Sequence, residues 1–220
     1  MHVRDELRPE LSMNPRCPHV LFREIFGAAT VAELLEYVIA RQDHFEPAIV
    51  RNRESGRARV DLDRRDCLNH AGLGPFQTPY RAFMRSIMGV VLEQLHLSES
   101  AVEPGEFEFS AYRDRGRFAP HIDVSGRIRI VSCVYYFAVT PRRFAGGELR
   151  LHALPGLTSD APPFVDIEPE PDTLVAFPSW MPHEVRPVRV PSGAWADSRF
   201  TVNCWIQRPT ATPRTDLTPG

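Results

Sequence analysis

Two residues whose side chains commonly bind metals lie two positions apart in the segment Arg117-Phe118-Ala119-Pro120-His121-Ile122-Asp123. If the backbone is extended there, His121 and Asp123 project from the same face of a strand, because successive side chains alternate. An imidazole beside a carboxylate makes up two-thirds of the two-histidine, one-carboxylate triad that binds non-haem Fe(II). The third ligand must come from another strand, and His183 is the best placed histidine. The spacing therefore predicts an iron site at His121, Asp123 and His183.

A site of this kind also needs a cation if its cosubstrate carries a second carboxylate. Three protein ligands leave three positions of an octahedron open, which suit a bidentate 2-oxo acid and dioxygen. A 2-oxo acid with a distal carboxylate needs a cation deep in the fold, and the strand-like run from Arg199 to Trp205 supplies one. Burying Arg199 on an otherwise apolar strand is costly unless an anion pairs with it, and arginine binds carboxylates bidentately. Arg199, Thr201, Asn203 and Trp205 share one face of this strand.

Tyr136 lies on a long β-rich run and could add a hydroxyl donor to the same carboxylate. A core tyrosine with its hydroxyl near the surface explains this residue equally well. The residues alone leave both interpretations open.

The elements that must position these residues follow from the period of the hydrophobic pattern. Residues 1–17 are polar and broken by proline, which predicts a flexible lead-in. Thr30-Val31-Ala32-Glu33 is typical of a capping box and predicts the start of a first helix. Thr78-Pro79 predicts the start of a second, with an apolar stripe at Phe83, Ile87, Val90, Val91 and Leu95.

From Glu106 onward the period is two, which predicts strands. A long strand is expected within Ile128–Val139, with Ile130, Ser132, Val134 and Tyr136 on one face. Shorter strands are expected at 148–152, 164–167, 173–177, 184–190 and 199–206, separated by glycine and proline. Many short strands with turn signals favour a sandwich or barrel.

The predicted architecture is a mainly β (α+β) single domain over residues 18–208. Helical support spans 28–97 and packs on one sheet of a β core at 106–207, and residues 209–220 form a disordered tail. The charge-rich stretch 51–66 is expected to be a surface loop or a weak hairpin. Whether it or the loop at 190–198 closes over the site is left open.

Composition excludes several classes of function. Hydrophobic residues make up 43% and charged residues 25% of the chain, which is ordinary for a globular protein. A net charge of −2 favours neither nucleic acid nor an anionic membrane as a partner. The four cysteines lack a CxxC spacing, so a reduced, cytoplasmic setting is expected, with Cys133 and Cys204 as core residues.

Six ordered motifs between residues 106 and 207 resemble those of the Fe(II)/2-oxoglutarate dioxygenases, and the prolyl 4-hydroxylase-like branch is the nearest. They are His121-x-Asp123, Val134-Tyr135-Tyr136-Phe137, Gly146-Gly147-Glu148-Leu149-Arg150, Phe177-Pro178-Ser179, His183-Glu184-Val185-Arg186-Pro187-Val188 and Arg199-x-Thr201-x-x-x-Trp205. This resemblance implies a double-stranded β-helix (jelly-roll, cupin-like) core. It also implies Fe(II), 2-oxoglutarate and O2 as cofactor and cosubstrates, with ascorbate as reductant.

The resemblance further implies roles for individual residues. Arg199 and Tyr136 would bind the distal carboxylate of 2-oxoglutarate, and Tyr112 and Asn203 would line the same pocket. Arg129 and Trp205 match positions that face the substrate in prolyl-hydroxylating relatives. Simple alternation puts Arg129 opposite Tyr136, so a β-bulge would be needed, and core packing explains Trp205 equally well.

Two positions depart from the family pattern. Phe118 stands where close relatives often carry a tyrosine, and the segment at 190–198 is longer than usual. Both leave the substrate open.

The resulting hypothesis is a hydroxylase that acts on a prolyl residue or an amino-acid or peptide-like substrate and releases succinate and CO2. Asp123 favours hydroxylation over halogenation, because related halogenases carry glycine or alanine there. The partner is then a small-molecule or peptidyl substrate. The alternatives are a tailoring oxygenase of a small metabolite, a non-catalytic metal- or anion-binding jelly-roll, and a zinc hydrolase, which would give Arg199 no obvious task.

Overall fold

The computed structural model describes residues 1, 3, 7–12, 14–51, 58–98, 101–124, 128–153, 160 and 162–209. Within these ranges the chain forms helices α1 (Gly27–Ile39) and α2 (Gln77–Gln94). The strands that precede α2 are β1 (Glu10–Leu11), β2 (Val20–Arg23), β3 (Glu46–Pro47), β4 (Ile49–Arg51), β5 (Ala58–Val60), β6 (Arg65–Asp66) and β7 (Leu68–Ala71). Those that follow it are β8 (Glu103–Tyr112), β9 (Arg117–His121), β10 (Arg129–Phe137), β11 (Ala145–Gly146), β12 (Leu149–His152), β13 (Phe164–Ile167), β14 (Thr173–Pro178), β15 (His183–Val185), β16 (Val188–Arg189) and β17 (Arg199–Gln207).

Two antiparallel sheets carry the fold. The large sheet has the order β1-β2-β14-β10-β17-β8-β7-β3, and the small sheet has the order β13-β12-β15-β9-β6. From β8 onward the chain passes repeatedly from one sheet to the other: β8, β10, β14 and β17 lie in the large sheet, and β9, β12, β13 and β15 in the small one. The predicted mainly β, double-stranded β-helix core is confirmed.

Strand β17 shows how the large sheet separates two environments. The side chains of Phe200, Val202, Cys204 and Ile206 belong to the main hydrophobic core. Those of Arg199, Thr201, Asn203 and Trp205 line a cavity on the opposite face. Strict alternation along an extended backbone produces this division, as the sequence pattern predicts.

Both helices pack on the core side of the large sheet, where their apolar residues join the side chains of β10 and β17. Phe83, Ile87, Val91 and Leu95 of the predicted stripe are buried, whereas Val90 is 38% exposed. Val90 was therefore assigned to the wrong face. It directly precedes Val91, and adjacent helical residues point about 100° apart, so one of the pair turns towards solvent.

The predicted helix starts are each displaced. Helix α1 begins at Gly27, three residues before the proposed capping box, and no side chain of its own caps it. The carboxylate of Asp172 accepts hydrogen bonds from the backbone N–H groups of Phe26 at 2.9 Å and Gly27 at 2.8 Å. A tertiary contact thus replaces the local cap. Helix α2 begins at Gln77, one residue before the predicted Thr78 cap.

The strand predicted at 184–190 is wrong as a single element. It divides into β15, which pairs with β12 and β9, and β16, which pairs with β11 in a separate two-stranded sheet. Pro187 lies between them and has no N–H to donate to a ladder.

The N-terminal lead-in is partly ordered, because β1 pairs with β2 and Cys17 is fully buried. The flexible segment expected at 1–17 therefore does not describe residues 10, 11 and 17. In the predicted tail at 209–220, residues 210–220 lie outside the described residues. All four cysteines are free and buried, as expected for Cys133 and Cys204. No helix in the described part of the chain is long and apolar enough to cross a bilayer.

Candidate metal centre

His121, Asp123 and His183 converge between the two sheets. His121 is the last residue of β9, Asp123 follows two residues later, and His183 opens β15 directly opposite His121 in the sheet. Their candidate ligand atoms all lie within 4.8 Å of one another. The Nε2 atoms of His121 and His183 are 3.7 Å from Oδ1 and 3.6 Å from Oδ2 of Asp123, respectively. The structure thus brings the three predicted ligands together.

Each histidine is oriented by a backbone carbonyl. Nδ1 of His121 lies 2.9 Å from the Ala119 carbonyl oxygen, and Nδ1 of His183 lies 2.9 Å from that of Met181. Nδ1 must carry the proton to donate these bonds, which leaves the Nε2 lone pair free. Carbonyl contacts of this kind fix the tautomer and orientation of metal-binding histidines.

Asp123 is held through one of its two oxygens. Oδ2 accepts hydrogen bonds from Ser132 Oγ at 2.7 Å and from Trp205 Nε1 at 2.9 Å. Ser132 lies 3.0 Å from Ser179 Oγ, and since its own proton goes to Asp123, Ser179 is the donor to Ser132. Oδ1 has neither of these partners and lies 3.7 Å from Nε2 of His121.

Burial sets the protonation states of the triad. Burial and the neighbouring His183 lower the pKa of His121, so that its ring stays neutral. Burial alone would raise the pKa of the Asp123 carboxyl, but the two histidines and the donors on Oδ2 hold it below its usual range. A neutral His121 imidazole and an ionised Asp123 carboxylate are forms that bind a metal ion.

Arg199 lies on the large sheet within the same cavity and is 1% exposed. Its Nε donates to the Gly147 carbonyl oxygen at 2.7 Å, while its buried Nη2 has no hydrogen-bond partner among the described residues. The guanidinium carbon lies 4.9 Å from the ring centre of Tyr112 and 5.1 Å from that of Tyr136. An unpaired donor on a buried cation is costly unless an anion completes the site.

Tyr136 is 1% exposed, so the alternative with its hydroxyl near the surface does not hold. That hydroxyl is buried without a partner in the described part of the chain. Burial raises the pKa of Tyr136 to about 12, so the group remains a donor at neutral pH. Two orphaned donors, Arg199 Nη2 and the Tyr136 hydroxyl, therefore occur side by side.

Gly147 shapes the floor beneath Arg199. Its backbone is left-handed at φ +75°, and a Cβ built there would lie 2.6 Å from Arg199 Cδ. Only glycine fits both the conformation and the close approach.

The cavity lined by the three candidate ligands and Arg199 measures about 850 Å³. Its walls come from both sheets, with His121, His183 and Phe118 on one side and Tyr112, Asn203 and Trp205 on the other. A space of this size accommodates both a small dicarboxylate and part of a second molecule.

A sequence profile of the 2OG-Fe(II) oxygenase superfamily matches residues 107–207, the region that contains all of these groups. This stretch of the chain is similar to the 2OG-Fe(II) oxygenase superfamily. The resemblance predicted from the motifs is thus confirmed. An uncharacterised PKHD-type hydroxylase of Synechocystis sp. is 36% identical over 124 residues. The match spans 54% of this chain but only 41% of that relative.

Several solved structures resemble this chain over most of its length. A prolyl-4-hydroxylase of Pseudomonas putida has a TM-score of 0.60 at 21% identity, covering 87% of this chain and 93% of that one. A prolyl hydroxylase of Trichoplax adhaerens, in complex with a peptide of the hypoxia inducible factor oxygen degradation domain, has a TM-score of 0.62 at 18% identity, covering 86% and 83%. At these identities the likeness establishes the fold.

The donor sets of the site fit the iron and 2-oxoglutarate that the name of the matched superfamily implies. Two Nε2 atoms and one carboxylate oxygen match the triad of non-haem Fe(II). The orphaned donors of Arg199 and Tyr136 match a buried carboxylate.

Arg129 and Trp205 meet at the wall of the cavity. The register between β10 and β17 shifts between Arg129 and Val131, which is the bulge that a cavity position for Arg129 requires. The shift also moves Ile130 into the main core, away from the Tyr136 face on which it was expected. The Arg129 guanidinium stacks 3.6 Å from the Trp205 ring centre. Trp205 in turn donates to Asp123, so core packing alone does not describe it.

Glu108 and its donors form a polar wall that the sequence reasoning missed. Glu108 lines the cavity and accepts from Arg65, Asn69 and Asn203. Alternation in Glu106-Phe107-Glu108-Phe109-Ser110-Ala111-Tyr112 puts Glu108 on the Tyr112 face, and this signal could have identified it. Its partners lie 39 residues or more away along the chain and are not visible in a local pattern.

Of the two loops whose roles were open, only the first reaches the cavity. Ile49, Val50, Arg64 and Arg65 line it, and β4 pairs with β5 as the weak hairpin expected there. The segment at 190–198 packs elsewhere, with Trp195 Nε1 donating to the Val38 carbonyl oxygen of α1 at 3.2 Å.

Proposed function

We propose that the protein is an Fe(II)- and 2-oxoglutarate-dependent hydroxylase of an unactivated C–H bond, in a prolyl residue or an amino-acid or peptide-like substrate. His121, Asp123 and His183 hold the metal, and Arg199 with Tyr136 holds the distal carboxylate of 2-oxoglutarate. When bound, these groups supply the oxidant for C–H hydroxylation with release of succinate and CO2. We also propose a cytoplasmic setting, with which four free cysteines are consistent.

The observation that carries this proposal is the pairing of the triad with Arg199 in one cavity. A zinc hydrolase or a bare metal-binding module needs the triad alone. Neither accounts for a guanidinium that is 1% exposed and keeps a buried donor without a partner in the described part of the chain. A cosubstrate with a second carboxylate accounts for both features.

The chain's own residues prepare the site before any ligand arrives. Backbone carbonyls hold the Nε2 atoms of both histidines towards the centre. Ser132 and Trp205 occupy Asp123 Oδ2, so Oδ1 is the oxygen offered to the metal. Phe118 stacks on the His121 ring at 3.5 Å and shields it from water. Preorganisation of this kind reduces the reorganisation needed at the moment of reaction.

Succinate release with Fe(II), 2-oxoglutarate and ascorbate, screened over prolyl peptides and free amino acids, tests the proposal. We expect turnover in the wild type and its loss in His183→Ala, with Fe(II) binding also lost and the circular dichroism spectrum unchanged. His44→Ala is the matched control, because His44 is exposed and lies outside the cavity. Turnover near wild type in His183→Ala would remove His183 from the triad. Metal binding without any turnover across the panel would support the non-catalytic module instead.

A further inference from the structure

We propose that the substrate is a free α-amino acid, bound as a zwitterion with its ammonium group on Glu108 and its carboxylate on Arg129. This inference rests on the proposed function, because the substrate shares the cavity with the metal and the cosubstrate. It narrows the substrate class from any prolyl or peptide-like compound to one that carries both charges.

Glu108 is a carboxylate with unused capacity. Oε1 accepts from Arg65 Nη2 at 3.3 Å and from Asn203 Nδ2 at 3.4 Å, and Oε2 accepts from Asn69 Nδ2 at 3.1 Å. Charge-assisted bonds to a carboxylate are usually about 2.7–2.9 Å, and its two oxygens offer about four acceptor positions. All three contacts are longer than that, and 24% of the side chain remains exposed. A further donor of positive charge can therefore bind there.

The three contacts also hold Glu108 in place. Asn203 is itself anchored, since its Nδ2 donates to Ser110 Oγ at 2.8 Å and its Oδ1 accepts from Thr201 Oγ1 at 3.3 Å. Ser110 in turn donates to Asn69 Oδ1 at 2.9 Å. A carboxylate fixed by a connected network, rather than by one bidentate ion pair, is suited to receiving a ligand without rearrangement.

Glu108 lines the same cavity as the triad and is linked to it through neighbouring positions of the sheet. It is opposite Asn203 in the β8–β17 register, and Trp205, two residues beyond Asn203, donates to the iron ligand Asp123. Two residues of a strand span about 7 Å, so Glu108 lies one row of side chains from the row that contacts the triad. In the inferred pose, an ammonium group on Glu108 would turn the carbons next to it towards the triad that shares this cavity.

Arg129 supplies the opposite charge. Its Nη2 lies 2.6 Å from Glu106 Oε2, but 72% of the Glu106 side chain is exposed. An ion pair with such an exposed partner is screened and contributes little, so a ligand carboxylate can replace Glu106. The stack on Trp205 fixes the plane of the guanidinium for a bidentate contact.

The two charges together favour a zwitterion. A residue inside a polypeptide has neither a free ammonium nor a free carboxylate, and it would leave Glu108 and Arg129 without new partners. Burying charged groups beneath a neutral ligand costs free energy. Glu108 already pairs with Arg65 and Arg129 with Glu106, and a free amino acid offers each of them a further partner of opposite charge. Its side chain is left for the remaining space.

Equilibrium binding to the protein loaded with Mn(II) and 2-oxoglutarate tests the inference without turnover. The probes are the common L-amino acids, their Nα-acetyl derivatives, their C-terminal amides and an acetylated, amidated prolyl peptide. We expect at least one free amino acid to bind at least about 10-fold more tightly than either of its blocked forms, which is about 1.4 kcal/mol. If no free amino acid exceeds its blocked forms, or if the blocked peptide binds most tightly, the inference is overturned.

Two variants test which side chain binds the ammonium group of the ligand and which binds its carboxylate. Glu108→Gln keeps the shape of the side chain and one acceptor oxygen. This variant should bind a free amino acid and its Nα-acetyl derivative equally well, but should still bind the free amino acid more tightly than its C-terminal amide. Arg129→Gln should bind a free amino acid and its C-terminal amide equally well, but should still bind the free amino acid more tightly than its Nα-acetyl derivative. Glu168→Gln is the matched control, because Glu168 is exposed and pairs with Arg142 away from the cavity. Unchanged discrimination in Glu108→Gln would contradict the assignment.

The readouts separate this inference from the proposed function. Amino-acid binding with the expected discrimination, but without Fe(II)-dependent succinate release, would sink the function and leave the site standing. Succinate release stimulated only by blocked peptides would support the proposed function and overturn the amino-acid site.

Discussion

Within the described ranges, Arg199 Nε donates a hydrogen bond to the carbonyl oxygen of Gly147. This bond fixes the stem side of the guanidinium and leaves the outer edge for a ligand. Tyr112 and Tyr136 flank the group, with ring centres 4.9 Å and 5.1 Å from the guanidinium carbon. The protein thus prepares a carboxylate site without neutralising it.

Arg199→Ala should weaken 2-oxoglutarate binding by about 30-fold to several-thousand-fold, at ~2–5 kcal/mol for the lost contact. Pyruvate, which lacks the distal carboxylate, should be affected far less. Arg199→Lys should recover only part of the loss, because it has charge but no fork. The 2-oxoglutarate dependence of succinate formation measures the effect, with metal content determined in parallel.

Arg85→Ala, an exposed substitution on α2, is the matched control for these variants. An affinity in Arg199→Ala within a factor of about two of wild type would remove the cosubstrate assignment.

At the residue scale, spacing and alternation predicted which side chains meet at the triad. His121 and Asp123 are local neighbours, and Arg199 needed only its strand face. The hydrogen bonds around Asp123 were not predictable, because Ser132, Ser179 and Trp205 come from three separate segments. Tertiary hydrogen bonds of this kind leave no periodic signal in the sequence.

At the scale of elements, the strands were predicted more reliably than the helix ends. Alternation and glycine or proline boundaries located β13 with both of its ends and β17 to within one residue. The start of α1 was missed because its cap, Asp172, lies 145 residues away in sequence. The break between β15 and β16 was missed because a sheet change is a tertiary event that local pattern does not encode.

Asp172→Gly should lower the free energy of unfolding by about 2–3 kcal/mol, since it leaves the N–H groups at the start of α1 and the Tyr135 hydroxyl without their acceptor. Glycine tolerates the φ of 59° at this position, so backbone strain does not confuse the result. Urea denaturation at constant pH measures the change.

The matched control is Arg115→Gly, at a φ of 66° in an exposed turn. If the two glycine variants agree to within about 0.5 kcal/mol, the tertiary cap contributes nothing measurable.

For the whole molecule, buried neutral histidine links stability to pH. His19 is 5% exposed, and its Nδ1 donates to the Cys17 carbonyl oxygen at 2.9 Å. Burial lowers the pKa of His19 in the folded protein. In the unfolded chain the pKa of His19 is about 6.5. Below that pH the unfolded chain binds a proton at His19 that the folded protein does not bind, so the free energy of unfolding falls as pH falls.

We therefore expect the free energy of unfolding to decrease between pH 7 and pH 5. The decrease should be smaller in His19→Gln than in wild type, by at most about 1.4 kcal/mol per pH unit. Chemical denaturation at each pH measures both slopes, with the exposed His44→Gln as control. Equal slopes in His19→Gln and wild type would contradict a role for His19.

The two-sided strand β17 has a consequence for any library of random substitutions made in it. Tolerance to substitution should alternate from one position to the next along the strand. At Phe200, Val202, Cys204 and Ile206, which are all buried in the main core, polar variants should vanish from the soluble fraction. At Arg199, Thr201, Asn203 and Trp205, variants should stay soluble yet differ in what they bind. A single residue inserted into the strand would exchange the core-facing and cavity-facing side chains. Such a variant should therefore lose both solubility and ligand binding.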